Sequence, residues 1–218
     1  MIKTAFEFIQ EQTIPTTTPF IPEITLQLAT EITPMWQATE NWLTQTNTSP
    51  PYWAFAWAGG QGLARYILDH PEEIRDKRVL DFAAGCGLAG IAAAKAGARQ
   101  VMTVDIDPLA QAATQLNAQH NNVDVKLILN LDLERTCAGV EIILAGDVCY
   151  EQVMSHKVLR WLRLCATEGT RVLLADPGRA YMPDEGMKVL ARYEVATLRE
   201  LEDRDVRNVT VWELLPVK

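Results

Sequence analysis

The chain has 218 residues, of which 48% are hydrophobic and 22% are charged, and these proportions indicate a globular protein and exclude an intrinsically disordered one. The formal net charge of −8 and the pI near 4.9 argue against a nucleic-acid partner, because binding along phosphates needs clustered lysine and arginine. At this length we expect one main domain.

The first 50 residues are predicted to be an N-terminal extension, and residues 51–218 to be the main domain. We expect no signal peptide, transit peptide or membrane span, because acids interrupt the start of the chain and no run of 18 apolar residues exists. The segments predicted for the extension are a helix over 1–12, a non-helical proline and threonine stretch over 13–22, a strand over 24–30, a helix over 35–43 and a linker over 44–52.

Strands and helices alternate through the middle of the chain. The predicted strands are 77–82, 100–106, 124–130, 139–148 and 170–176, and the predicted helices are 60–70, 88–97, 108–121 and 151–165. Two further strands, over 193–201 and 207–217, have no room for a crossover helix between them and must pair antiparallel. The sequence therefore predicts an α/β fold, a Rossmann-like doubly wound seven-stranded sheet with an antiparallel C-terminal strand pair and an N-terminal extension.

The turn after the first strand of this body, VLDFAAGCGLAG (79–90), is the main candidate for cofactor binding. Gly85, Cys86 and Gly87 lie where backbone must approach a ligand, although G-x-G-x-x-G alone is a weak pattern. Asp105 ends the second strand 20 residues after Gly85, where a carboxylate can accept hydrogen bonds from ribose hydroxyls. Both NAD and S-adenosylmethionine carry that ribose, so Asp105 does not choose between them.

Asp81, four residues before the glycines, favours S-adenosylmethionine. A carboxylate beside a dinucleotide turn would repel the pyrophosphate, whereas S-adenosylmethionine carries an ammonium and a sulfonium and no phosphate. Asp81 can help directly or by orienting water and backbone around the methionine amine. The alternative is that Asp81 only caps its own turn.

Other candidate cofactor contacts follow the strand ends and the aromatic stretch PYWAFAWAGG (51–60). Leu131 can cover the adenine face and Asp132 can accept from its exocyclic amine, although Asp132 can equally be a helix cap or a solvated loop acid. Trp57 is the preferred lid over the cofactor, although the stretch can also be core packing. The remaining predicted cofactor contacts are Ile106 and Ala145.

The glycine turn, the strand-end acid in VDID and the antiparallel tail resemble the seven-stranded S-adenosylmethionine-dependent methyltransferases, over about residues 75–218. PEITLQL (22–28), PYWAFAWAGG and DVCYE extend the resemblance to the lysine methyltransferase group that modifies the beta subunit of electron transfer flavoprotein. The narrower resemblance implies that Asp147 and Tyr150 are the catalytic residues lining a lysine channel.

The chain departs from that group at two positions. Cys149 stands where a phenylalanine is usual, and Ala58 stands where a proline is expected. DPGR (176–179) resembles the group's segment after the fifth strand and can border the site, or it can be a simple turn.

The resulting expectation is a protein-lysine N-methyltransferase that uses S-adenosylmethionine, binds no metal, and acts as a monomer on the electron transfer flavoprotein beta subunit. Its four cysteines form no C-x-x-C pair and indicate reduced thiols in the cytoplasm. The alternatives are a methyltransferase of another protein, a small molecule or a nucleic acid, an NAD-dependent oxidoreductase, and a non-catalytic protein that binds S-adenosylmethionine.

Overall fold

The computed structural model of the protein describes residues 4–30, 34 and 50–216. The helix predicted over 35–43 and most of the linker predicted over 44–52 lie outside the described residues. No helix within the described ranges is long and apolar enough to cross a lipid bilayer.

The N-terminal residues form a helix and a β-hairpin. Helix α1 (Ala5–Gln12) begins with a capping box, in which Thr4 accepts from the backbone N–H of Glu7 and Glu7 accepts from that of Thr4. Strands β1 (Ile14–Thr18) and β2 (Ile21–Leu28) then pair antiparallel. The sequence predicted β2 from residue 24 onward and excluded a helix before it, but it did not predict β1.

The remaining strands form one seven-stranded sheet in the order β5-β4-β3-β6-β7-β9-β8. These strands are β3 (Arg78–Phe82), β4 (Gln100–Val104), β5 (Lys126–Leu127), β6 (Ile142–Gly146), β7 (Arg171–Asp176), β8 (Met187–Ala196) and β9 (Val206–Leu214). Strands β3 to β7 run parallel to one another, and β9 runs antiparallel to both β7 and β8. The predicted fold class is confirmed.

Helices cover both faces of this sheet. They are α2 (Ala58–Asp69), α3 (Leu88–Lys95), α4 (Pro108–His120), α5 (Gln152–Thr167) and the short α6 (Arg199–Glu202), with single 3₁₀ turns at Tyr52–Ala54 and Pro71–Glu73. Ile142 and Leu144 of β6 pack with α2 and α3, whereas Ile143 packs with α5. This alternation follows from the two-residue repeat of a strand, and it buries β6 on both sides.

Helix α4 links the sheet to the N-terminal hairpin. It begins as predicted, with the Asp107 carboxylate accepting from the backbone N–H of Leu109 and Pro108 in the first turn. Asn117 of α4 and Asn121, the residue that caps its C-terminus, accept hydrogen bonds from the backbone N–H groups of Gln27 and Thr25 at 2.6 and 3.1 Å. The edge of β2 that β1 does not cover is therefore held by side chains of α4.

Several predicted strands have different bounds in the structure. The strand predicted over 193–201 is wrong at both ends, because β8 begins at Met187 and residues 199–202 form α6. At this turn Glu202 is buried against two arginines, Arg179 and Arg207. The strand predicted over 124–130 contracts to the two residues of β5, which lies at the edge of the sheet and pairs only with β4.

Candidate active site

The predicted site residues gather at the carboxyl ends of the parallel strands. The chain runs outward from β3 through β4 to β5 and then returns to β6 on the other side of β3. A doubly wound sheet forms a ligand crevice at such a reversal of strand order. The turns after β3, β4 and β6 therefore face one crevice, and the turn after β7 lies beside them.

The two glycines after β3 have positive φ angles for different reasons. Gly85 has φ +54°, and a Cβ at this position would meet no atom within 4 Å. Gly87 has φ +78°, and its Cβ would lie 2.8 Å from Cγ2 of Thr114 in α4. Gly85 therefore leaves open space where a ligand can approach the backbone, whereas Gly87 allows α3 to pack against α4.

Asp81 lies in β3 and is buried beneath this turn. Its Oδ2 accepts a hydrogen bond from the backbone N–H of Gly90 at 2.7 Å, so Asp81 holds the first turn of α3. Burial raises the pKa of Asp81 to about 7, opposed by the Gly90 hydrogen bond and assisted by the charge of Asp105. The contact with Gly90 agrees with the capping alternative, and a contact with a cofactor stays a prediction.

Asp105 and Ile106 follow β4 on the open side of the crevice. The two carboxylate oxygens of Asp105 accept from the backbone N–H groups of Gly85 and Asp107 at 2.9 and 3.0 Å. Burial raises the pKa of Asp105, and these amide hydrogen bonds oppose the rise. Ile106 is 92% exposed, an unusual degree for an apolar residue. An exposed apolar side chain beside a fixed carboxylate fits one face of a nucleoside.

The other predicted cofactor residues lie around the crevice in different environments. Leu131 is half-buried against the face covered by α5, and Asp132 is exposed, with its Oδ1 accepting from the backbone N–H of Glu134 at 2.9 Å. That contact agrees with the loop alternative for Asp132. The side chains of Ala145 and Cys86 are buried in the core, and burial raises the pKa of Cys86 to about 12. Only the backbone of Cys86 is therefore suited to meet a ligand.

Asp147 follows β6 and is fixed by contacts from two sides. It has φ +55°, in the left-handed region. Its Oδ2 accepts from the backbone N–H of Gly60 at 3.0 Å, and a Cβ on the neighbouring Gly59 would lie 2.5 Å from the same oxygen. The two glycines of the PYWAFAWAGG stretch therefore let α2 begin directly against the carboxylate.

An arginine that sequence reasoning did not assign to the site completes this arrangement. The Nη2 and Nε atoms of Arg179 lie 2.7 and 3.2 Å from Oδ1 of Asp147. The same guanidinium contacts Glu202 of α6, which is only 3% exposed. The one sequence signal was the DPGR segment, in which Asp176 accepts from the backbone N–H groups of Gly178 and Arg179.

Aromatic rings stand beside this acid. Tyr150 is 49% exposed, and its ring centroid lies 5.7 Å from that of Tyr52. Tyr52 in turn lies 5.8 Å from Trp57, and the guanidinium carbon of Arg179 lies 5.6 Å from the Trp57 ring. Trp57 thus lies next to the Asp147–Arg179 pair. Cys149, at the departure from the expected phenylalanine, is fully buried in the core cluster that includes Val148 and Leu162.

No cluster of residues suited to a metal ion exists in the part of the chain that the structure describes. The described groups instead form two adjoining sets. Gly85, Asp105 and Ile106 offer backbone, a carboxylate and an apolar surface to a nucleoside. Asp147, Tyr150 and Trp57 offer a carboxylate and aromatic faces to a cation.

Comparison with known proteins places the chain among methyltransferases. The family model of ribosomal protein L11 methyltransferase matches residues 65–149, a range that contains the glycine turn, Asp105 and Asp147. Among solved structures, the chain is similar to a magnesium protoporphyrin IX methyltransferase from Synechocystis with bound S-adenosylmethionine, at a TM-score of 0.52 and 17% identity over 71% of this chain and 78% of that one. This likeness shows the fold and leaves the substrate open.

Several relatives match this chain along most of its length. The electron transfer flavoprotein beta subunit lysine methyltransferase of Xenopus laevis is 36% identical over 96% of this chain and 86% of that protein. The human protein of the same name is 34% identical over 96% of this chain and 81% of its own length. A homologue from Caenorhabditis elegans is 32% identical over 88% of this chain and 84% of its own length.

The fold, the glycine turn and the relatives together show that the chain is an S-adenosylmethionine-dependent methyltransferase. Within that class, the chain belongs to the family of electron transfer flavoprotein beta subunit lysine methyltransferases.

Proposed function

We propose that the protein transfers methyl groups from S-adenosylmethionine to lysine side chains of the electron transfer flavoprotein beta subunit. The observation that carries the proposal is the similarity along almost the whole chain to proteins named for that reaction. The geometry of the site supports it, because a buried carboxylate and three aromatic rings adjoin the cofactor crevice. A carboxylate and aromatic faces are groups that recognise an ammonium.

The crevice has suitable residues for the cofactor. The backbone at Gly85–Gly87, the carboxylate of Asp105 and the exposed Ile106 would hold the nucleoside, and Asp81 would favour the methionine ammonium. When bound, S-adenosylmethionine supplies an electrophilic methyl group on a positively charged sulfur. The protein's contribution is to hold the acceptor nitrogen in line with that methyl group.

The acceptor lysine must lose its proton before it can attack. With an ordinary pKa of about 10.4, deprotonation at pH 7 costs about 4.6 kcal/mol. Partial burial among Tyr52, Trp57 and Tyr150 would reduce this cost, because desolvation lowers the pKa of an amine. Asp147 would orient the amine and stabilise the positive charge that moves onto nitrogen, while the Tyr150 ring shapes the entry to the slot.

The test is incubation with purified electron transfer flavoprotein beta subunit and labelled cofactor, read by intact mass. We expect mass increases in steps of one methyl group, and none when the lysines of the substrate are chemically blocked. Binding of the cofactor without mass increase in this subunit or in lysate proteins would indicate the non-catalytic alternative. Methylation of ribosomal protein L11 in place of the flavoprotein would indicate a different protein substrate, an outcome that the partial family match makes worth measuring.

We also propose a cytoplasmic monomer that does not bind nucleic acid. The support is that all four cysteines are free thiols and that the net charge is −8. The division into an extension over residues 1–50 and a catalytic domain over 51–218 is likewise a proposal. Size-exclusion chromatography with light scattering tests the monomer, and expression of residues 51–218 tests the division.

A further inference from the structure

Arg179 is held between two buried carboxylates. Its Nη2 lies 2.7 Å from Oδ1 of Asp147 and 2.8 Å from Oε1 of Glu202, and its Nη1 lies 2.9 Å from Oε2 of Glu202. The exposed fractions of the side chains are 17% for Arg179, 10% for Asp147 and 3% for Glu202. A planar guanidinium between two carboxylates at these distances has a single orientation, which an ammonium could not reproduce.

The second carboxylate comes from the C-terminal hairpin. Glu202 ends α6, the helical turn between β8 and β9, and the Nε of Arg207 lies 3.3 Å from its Oε2. A carboxylate so deeply buried needs cationic partners, and both partners here are arginines. The C-terminal hairpin is thus connected to Asp147 through Glu202 and Arg179.

The charges around Asp147 act on its pKa in opposite directions. Burial raises the pKa of Asp147, the Arg179 guanidinium opposes that rise, and Glu202 adds to it. Burial opposes the charge on Arg179, yet Asp147 and Glu202 together raise its pKa above the ordinary value, so it remains a cation. Other titratable groups that interact with the pair are Asp176 at the end of β7, Cys149 and Tyr150 after β6.

We propose that Arg179 is a positioning residue that keeps Asp147 ionised and directed at the incoming amine, and that Glu202 holds Arg179 in place. One oxygen of Asp147 is fixed by Arg179 and the other by the backbone N–H of Gly60, so the carboxylate cannot rotate away from the slot. The catalytic role of this orientation rests on the proposed function, since that role requires an amine as the methyl acceptor. The orientation and ionisation of Asp147 do not depend on which protein carries that amine.

The first test measures the pKa of the Asp147 carboxyl by carbon NMR, assigned with Asp147→Asn. We expect Arg179→Met to raise this pKa by at least about one unit, and Arg179→Lys to leave it closer to the wild-type value because the positive charge remains. Arg160→Met is the matched control, since Arg160 pairs with Glu134 on the surface with 67% of its side chain exposed. An unchanged Asp147 pKa in Arg179→Met overturns the proposal, whether or not the flavoprotein proves to be the substrate.

The second test measures methyl transfer across pH. We expect Arg179→Met to lower kcat/KM between about 10-fold and about 100-fold, with the acidic limb of the profile moved to higher pH, and Arg179→Lys to recover part of the loss. Glu202→Gln should give a smaller change in the same direction, and it serves as the test if Arg179→Met does not fold. Binding of S-adenosylhomocysteine should change less than twofold in each variant.

A rise in kcat/KM in Arg179→Met would show that Arg179 competes with the amine, and would overturn the proposal. Failure of the wild type to methylate the flavoprotein would refute the proposed function alone.

Discussion

The backbone N–H of Gly85 donates a hydrogen bond to Oδ2 of Asp105 at 2.9 Å, although the two residues belong to different strand–helix turns. The other carboxylate oxygen accepts from the backbone N–H of Asp107. The acid predicted to bind the ribose therefore also holds the glycine turn after β3 against the turn after β4. Loss of the Asp105 side chain should affect both the shape of the crevice and the affinity for the cofactor.

Substitutions of Asp105 separate these two roles. Asp105→Ala removes both backbone hydrogen bonds, and we expect the affinity for S-adenosylhomocysteine to fall at least about tenfold and the Tm to fall by about 4 °C. Asp105→Asn retains one acceptor oxygen and should lower the Tm less. Calorimetry and thermal unfolding measure the two effects, and wild-type affinity in Asp105→Ala would exclude Asp105 from the cofactor site.

The two glycines of the turn form a matched pair of test positions, because both have positive φ angles. We expect Gly87→Ala to lower the free energy of unfolding by about 2–4 kcal/mol, since its methyl group would collide with Thr114. Gly85→Ala carries the backbone strain alone, about 1 kcal/mol, but its methyl group enters the crevice. Urea unfolding should therefore rank Gly87→Ala as the less stable variant, while Gly85→Ala should lose more cofactor affinity relative to its change in stability.

Cofactor affinity should depend on pH through Asp81. Its pKa of about 7 means that the carboxylate is ionised above this pH and largely protonated below it. Because an ionised Asp81 attracts the ligand ammonium, we expect S-adenosylhomocysteine to bind about tenfold more weakly at pH 6 than at pH 8. Asp81→Asn should flatten this dependence, and Asp124→Asn, an exposed acid before β5, should preserve it. Equal slopes in the two variants would contradict the assignment.

The same group predicts the pH dependence of stability without cofactor. Burial raises the pKa of Asp81 above its unfolded value, so the folded state binds more protons than the unfolded state between about pH 4 and pH 7. The contribution of Asp81 is therefore fully present below about pH 4 and is lost as the pH rises through about 7. Urea unfolding at a series of pH values should show a smaller decrease for Asp81→Asn over this window.

Local patterns were sufficient for most of the fold. The start of α4 could be predicted because Asp107 and Pro108 act on the residues next to them, and β6 could be predicted because burial on both faces gives a continuous apolar run. Strand β1, rich in threonine and containing Pro15, has no such run. The bounds of β5 depend on its pairing with β4 at one edge. The sequence of β5 alone carries no information about that pairing.

The candidate site was only partly predictable for the same reason. The glycine turn and Asp105 follow strands that were visible as apolar runs, so their approach could be inferred from the parallel topology. The pairing of Arg179 with Asp147 joins residues 32 positions apart, and Glu202 lies within a charged stretch that looks solvent-exposed. A buried charge in such a stretch has no local signature, because its partners come from other parts of the fold.

Tyr150 should act through its ring. Burial raises the pKa of its hydroxyl, so it is not suited to act as a base at neutral pH, and its described contact is with the Tyr52 ring. We expect Tyr150→Phe to change kcat/KM by less than about threefold and Tyr150→Ala to raise the KM for the protein substrate about tenfold. Initial rates against substrate concentration measure this, and a large loss in Tyr150→Phe would assign a role to the hydroxyl.

Asp147→Asn tests the catalytic assignment with little change in shape. The amide oxygen can keep the hydrogen bond from Gly60, but the amide nitrogen then faces Arg179 without accepting from it, and the charge that would orient the acceptor amine and stabilise its developing positive charge is lost. We expect kcat/KM for the flavoprotein beta subunit to fall about 100-fold while the affinity for S-adenosylhomocysteine changes less than about twofold. Asp124→Asn again provides the control, since it removes one exposed acid that precedes β5. Full activity in Asp147→Asn would leave the fold and the cofactor site intact as conclusions, but it would require another group to receive the lysine.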